Sequence, residues 1–220
     1  METLKVLSID IGILNLGYVY AKILIEPQSF TFKRKAIQEN TIYKPLTKNV
    51  TVMDCNKINI THMRHNRVCR EECKLFHQRC IPDYIDHFIQ ETPYFEECDI
   101  LLLEQQPPQG IQTVQDLLFV KFRHKVRLLS PASMHLYFQL PKLSEDAYTL
   151  RKQKSERISQ IYLSDFSKFT NNTRKHDISD ALLMVLYFYK LKIDYLIENT
   201  APERVPGIDF EQFRFNLNGS

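Results

Sequence analysis

Asp10 sits inside the apolar run LKVLSIDIG, Glu104 ends DILLLEQ, and Asp177 and Asp180 lie in HDISDALLMVLYF. Each carboxylate is flanked by residues suited to a core, where an ionised acid needs a partner or a cation to offset its lost hydration. No Arg or Lys flanks them at pairing distance along a strand. Four hard oxygen donors from three separate segments point to a site for divalent cations such as Mg2+. Singly, each acid has a plainer reading. Asp177 and Asp180 suit the first turn of a helix, Asp10 a turn, and Glu104 a solvated strand end.

The elements that must position these acids are legible in outline. LKVLSIDIG, NLGYVYAKILI and SFTFKRKAIQE read as three β-strands rich in β-branched and aromatic residues, a meander opening the chain. Residues 41–59 carry mixed signals and are left unassigned. Cys69, Cys73, Phe76, Cys80, Tyr84 and Phe88 recur at helical spacing, predicting a helix from about 61 to 90 that Pro82 divides in two. CDILLLEQ reads as a strand buried on both faces, stopped by PPQG. A helix over 111–124, the strand VRLLS, a short helix in ASMHLYF and two helices over 151–169 and 176–192 follow. Asn171, Asn172 and Thr173 supply cap-type residues between the last two. The order βββαβαβα predicts a mixed α/β sheet covered on both faces.

Composition bounds the rest. A chain of 220 residues suits a single domain, 1–220, with a weakly patterned tail from about residue 193. Twenty-nine Lys and Arg against 26 Asp and Glu leave a net charge of +3, so affinity for nucleic acid has to come from local clusters. Asp10 and Gly12 interrupt the apolar N-terminus, which predicts a strand rather than a signal peptide. The longest apolar stretch, Ala181 to Tyr189, is under half of what a membrane-spanning helix needs, so a soluble, non-secreted protein is expected, away from membranes. Five Cys, an odd number, predict reduced thiols.

The arrangement of an Asp on strand one, a Glu on the central strand and an Asp doublet on the last helix resembles the RNase H-like superfamily. Within it, His176-Asp177-Ile178-Ser179-Asp180-Ala181-Leu182 looks like the D-x-x-D-A of RuvC-type Holliday junction resolvases. The opening Ile9-Asp10-Ile11-Gly12-Ile13-Leu14-Asn15-Leu16-Gly17 and the run Leu103-Glu104-Gln105-Gln106 look most like the poxvirus and fungal mitochondrial members. Leu14, Leu16 and Gly17 depart from the bacterial pattern. The resemblance implies an RNase H-like fold with a mixed five-stranded sheet, and a metal-dependent endonuclease that cuts four-way DNA junctions by paired nicks. It implies two Mg2+ per site, with Mn2+ able to substitute, held by Asp10, Glu104, Asp177 and Asp180; which Asp serves which metal stays open. It also implies action on viral replication or recombination intermediates in the host-cell cytoplasm, if the poxvirus likeness holds.

Basic residues cluster near the acids. By resemblance a Lys opening the penultimate helix acts at the scissile phosphate; Lys154 matches best and Lys152 next, with Arg151, Arg157, Arg174 and Lys175 as further DNA contacts. A solvated helix face explains the same charges. Lys121, Arg123, His124, Lys125 and Arg127, and Lys33 to Lys35, are further candidates for phosphate contacts that make binding salt dependent. Cutting opposed strands of a two-fold junction implies a homodimer. The apolar residues Ile111, Val114, Leu117, Leu118, Phe119, Val120 and Phe122 offer more apolar surface than one helix stripe needs, and so a dimer face. His62, His65, Cys69, Cys73, His77 and Cys80 invite a zinc reading. On one helix, His65 to His77 span about 18 Å, too far for one tetrahedral ion, which favours core packing by the cysteines.

Three other functions compete. Asp10-Ile11-Gly12 fits the opening turn of the actin and sugar-kinase superfamily, but Gly110 alone in the middle of the chain offers no second phosphate loop. A junction-binding protein whose acids only cap helices, and an RNase H-like nuclease for RNA–DNA hybrids or flaps, share most of the same features.

Overall fold

In the first strand, β1 (Glu2–Asp10), Leu7 and Ile9 enter one buried cluster and Val6 between them enters another on the opposite face of the sheet. The strand period of two therefore puts Ser8 and Asp10 on the face of Val6. The computed structural model describes residues 2–25, 49–62, 73–140 and 146–200, with side chains to residue 192. Around β1 runs a five-stranded mixed sheet of order β3-β2-β1-β4-β5, formed with β2 (Leu16–Ile25), β3 (Val50–Ile58), β4 (Ile100–Glu104) and β5 (Val126–Leu129). β1 pairs antiparallel with β2 and parallel with β4, β2 pairs antiparallel with β3, and β4 parallel with β5. Leu101, Leu102 and Leu103 of the central strand β4 are fully buried, each contributing about 1.5–3 kcal/mol of apolar burial.

The face that carries Val6 is covered by α4 (Pro131–Tyr137), α5 (Ala147–Leu163), α6 (Ser167–Thr170) and the long α7 (Lys175–Thr200). Ile178, Ala181, Leu182, Val185 and Leu186 of α7 are completely buried there. Ser155 and Ser159 of α5 and Ser179 of α7 are also buried, where two helices in contact need small side chains. The opposite face is covered by α1 (Ile81–Glu91), α2 (Tyr94–Glu97) and α3 (Gln112–Lys121), through Ile85, Phe88, Phe95, Val114 and Leu118.

Several expectations are corrected. The third strand of the sheet is Val50–Ile58, from the unassigned segment; the run SFTFKRKAIQE and Lys33 to Lys35 lie outside the described residues. Of the helix expected over 61–90, residues 63–72 lie outside the described residues, and the helical part that follows begins at Ile81, because Pro82, lacking an N–H, is tolerated in a first turn rather than mid-helix. Residues 73–80 form a non-helical loop. The helix expected over 151–169 breaks after Leu163 into α5 and α6, whereas α7 runs on to Thr200, past the point where the pattern weakens. Most of the supposed dimer face packs inside the subunit: Val114, Leu118 and Phe122 are buried and Ile111, Leu117 and Phe119 lie against the same cluster, leaving Val120 exposed. Among the described residues, no helix is long and apolar enough to cross a membrane.

Candidate active site

Alternation along β4 matches that along β1: Leu101 and Leu103 join one cluster and Leu102 the other, so Glu104 shares the face of Asp10. The parallel register pairs Ile9 with Leu103, and one step further sets Asp10 beside Glu104 at the strand ends. The opening turn of α7 approaches that point. Gly17 of β2 pairs directly with Asp10, and a Cβ on Gly17 would lie 2.0 Å from the backbone oxygen of Asp177. Only a residue without a side chain lets the α7 backbone come this close to the sheet. The i,i+3 spacing of Asp177 and Asp180 then turns both acids toward Asp10 and Glu104. The Asn172 Oδ1 accepts the Arg174 backbone N–H at 2.9 Å, an Asx turn that leads the chain into this helix.

The four acids act on one another. Burial, and then the negative charges of Glu104 and Asp180, push the Asp10 carboxyl well above the usual carboxylate range. Burial also raises Glu104, while hydrogen bonds with Asp10 and Gln106 and the charge of Arg151 oppose the rise. Burial, reinforced by Glu104 and Asp177, pushes Asp180 up to about 7, against the pull of Arg151 and Lys152. Three acids held nearer neutrality than water would allow form a site short of positive charge. Asp177, the one fully buried acid of the four, is matched locally: Arg174 donates from Nε to its Oδ2 at 2.9 Å. His176 Nε2 lies 3.2 Å from Asp177 Oδ1 but is not aligned to hydrogen-bond. Burial lowers the His176 pKa, and Lys152 and Arg174 lower it further against the pull of Asp177.

The basic residues divide. Arg151 and Lys152 are close enough to act on the acids, and both lie over the exposed Tyr148 ring, the Lys152 Nζ at 3.9 Å. Lys154 instead donates to the Gln139 carbonyl at 3.1 Å. Lys175 lies over the Phe169 ring and Arg157 is exposed. The second basic cluster is largely committed elsewhere. Lys125 is buried and donates to the carbonyls of Phe95 and Cys98, Lys121 pairs with Asp86 at 2.7 Å, and Arg127 donates to the Val126 carbonyl. Buried Lys125 corrects its reading as a phosphate contact.

Sequence reasoning missed the support beneath Glu104. Gln106 donates from Nε2 to Glu104 Oε2 at 2.8 Å, and its Oε1 accepts the Ile111 backbone N–H at 3.2 Å. Gln115 of α3 accepts the Gln106 backbone N–H at 2.7 Å. The signal available was the run Leu103-Glu104-Gln105-Gln106, where a side-chain amide two residues beyond a strand-end acid shares its face. With 73–80 a loop, Cys73 and His77 fold back onto His87 of α1, and their ligand atoms lie within 4.8 Å of one another. Cys73 and Cys80 are partly exposed rather than core.

No protein-family model and no curated protein matches the chain. Solved structures do. The yeast mitochondrial Holliday junction resolvase aligns with a TM-score of 0.54 at 14% identity, over 96% of this chain and 85% of its own. The fowlpox virus Holliday junction resolvase aligns with a TM-score of 0.50 at 14% identity, over 85% of this chain and 99% of its own. The chain has the RNase H-like fold. The all-oxygen donor set of Asp10, Glu104, Asp177 and Asp180, partly buried and mutually repelling, fits hard divalent cations such as Mg2+ rather than soft ones.

Proposed function

We propose that this protein is a metal-dependent, structure-specific DNA endonuclease that resolves four-way junctions by paired symmetric nicks. The observation that carries the reading is the convergence of Asp10, Glu104, Asp177 and Asp180 at one end of the sheet, on a fold shared with two junction resolvases. These four residues would hold two Mg2+, or Mn2+ in their place, supplying activation of water and stabilisation of the leaving oxygen. Asp10, the acid acted on by all three others, holds the central position in the site. Gln106 orients Glu104 by its amide. Arg151 and Lys152 bring positive charge to the phosphate that enters between the acids, in the manner of a charge clamp. Lys154 and Arg157, further along α5, extend that surface along the DNA backbone. At the start of α7, Arg174 and Lys175 flank the entry, with Arg174 first serving as the partner of Asp177.

Branch recognition follows from contacts to phosphates rather than base edges, and so from the shape of the substrate. A homodimer follows from the two-fold symmetry of a four-way junction, since two opposed cuts need two sites. Viral replication or recombination intermediates, such as concatemer junctions in host cytoplasm, are the substrates that the poxvirus resemblance suggests. A nuclease acting on RNA–DNA hybrids or flaps would use the same acids, and a binding protein would need none of them.

One substrate panel separates these readings. Full-length protein is incubated with a synthetic four-way junction, a flap, an RNA–DNA hybrid and a linear duplex, with and without Mg2+. The proposal expects paired nicks on the junction in Mg2+ and intact linear duplex. Preferred cutting of the hybrid or flap, or junction binding without any cleavage, overturns it.

A further inference from the structure

On the face of the sheet opposite the four acids, Cys73, His77 and His87 form a separate cluster that the nuclease chemistry does not use. We propose that these three residues bind a zinc ion that staples the 73–80 loop to α1. His87 is almost fully buried. Its Nδ1 lies 2.6 Å from the Asp83 carbonyl, and since a carbonyl can only accept, Nδ1 carries the proton. The lone pair is therefore on Nε2, which faces the Cys73 Sγ at 3.7 Å. Zinc–sulfur and zinc–nitrogen bonds of about 2.3 and 2.05 Å at a tetrahedral angle separate the two ligand atoms by about 3.6 Å. The observed spacing is that edge. The His77 ring lies 4.9 Å from the His87 ring, centroid to centroid, and its ligand nitrogen completes a group with all three atoms within 4.8 Å.

The surroundings are those of a built site. A carbonyl that fixes the tautomer of a ligating His is the usual support behind a metal ligand. The same residue, Asp83, uses its carboxylate to accept the Gln78 backbone N–H, so α1 holds the loop that carries Cys73 and His77. One thiolate and two imidazoles form a borderline-soft donor set, which selects Zn2+ over the Mg2+ that suits the carboxylates. Solvent takes the fourth tetrahedral position. The ion replaces the thiol proton of Cys73, so binding releases one proton.

The test uses full-length protein loaded with Zn2+ in excess Mg2+, which occupies the carboxylates, then freed of unbound metal by gel filtration. Metal content by mass spectrometry and the thiolate-to-metal absorption of the Co2+ form are recorded for wild type, Cys73→Ser, His77→Gln, Cys80→Ser and Asp10→Asn. His77 is partly exposed, so its variant keeps the test sound if changes at buried His87 impair folding. The proposal expects one zinc per wild-type chain and the Co2+ thiolate band, both lost in Cys73→Ser, the zinc lost in His77→Gln, and both kept in Cys80→Ser and Asp10→Asn. Wild-type protein without retained zinc overturns it, as does zinc that survives both Cys73→Ser and His77→Gln or departs with Asp10→Asn.

Discussion

At the scale of single residues, the acids are adjusted by burial and by one another more than by any base. Asp180 is raised to about 7 from 3.8. A carboxyl raised on folding binds more protons in the native than in the unfolded state, so it adds stability below the ordinary carboxylate range and loses it as pH rises. The cation-free protein is therefore predicted to melt at a falling temperature as pH rises from about 4 through about 7. Added Mg2+ should restore the loss most strongly above that range; thermal melts across pH with and without Mg2+ check both signs. Gln106→Leu removes the amide that holds Glu104 and should cost about tenfold or more in cleavage or Mg2+ affinity, with folding retained by circular dichroism. All four acids were legible from the sequence because charge inside apolar runs is conspicuous. Gln106, Gln115 and the Arg174–Asp177 pair were not, since amides and surface bases carry no pattern that marks their partners. Lys154 was preferred over Lys152 by likeness alone; two residues along a helix turn a side chain by about 200°, and here Arg151 and Lys152 act on Asp180 while Lys154 donates to the Gln139 carbonyl.

At the scale of elements, the close approach of α7 to β2 at Gly17 is what assembles the site. Gly17→Ala places a methyl where the Asp177 carbonyl now lies, and α7 or β2 has to shift. The variant is predicted to lose about 1–3 kcal/mol in urea unfolding, with cleavage falling further than stability explains, because Asp177 and Asp180 move away from Asp10. The order of strands and of the last helices was legible because β1 and β4 are apolar runs that end at an acid and α7 carries helical periodicity. The third strand and the start of α1 were not. Val50–Ile58 is a strand of mostly half-buried residues next to β2, and its mixture of Asp54, Asn56 and Lys57 hides the alternation. The helical spacing of Cys73, Phe76 and Cys80 was accidental, and Pro82, read as a break within a helix, lies in the first turn of the helix that starts at Ile81.

At the scale of the whole molecule, a net charge of only +3 means that DNA affinity has to come from the rim around the acids rather than from the general field. Removing Lys152 should weaken junction binding at all sequences alike and flatten the slope of log affinity against log salt by about one, as expected for one lost phosphate contact. The dimer rests on the symmetry of the substrate, because the α3 residues that suggested a dimer face mostly pack within the subunit. The central claim is that the four acids work as one cation-dependent centre. Single-turnover cleavage of a four-way junction tests it most directly, with wild type compared against Asp10→Asn, Glu104→Gln, Asp177→Asn and Asp180→Asn at saturating protein. The account predicts cleavage that requires Mg2+ and falls by at least about 100-fold in each variant, on the scale of losing a metal ligand, while junction binding persists. Wild-type rates retained in Asp10→Asn or Asp180→Asn, or cleavage indifferent to Mg2+, would contradict it.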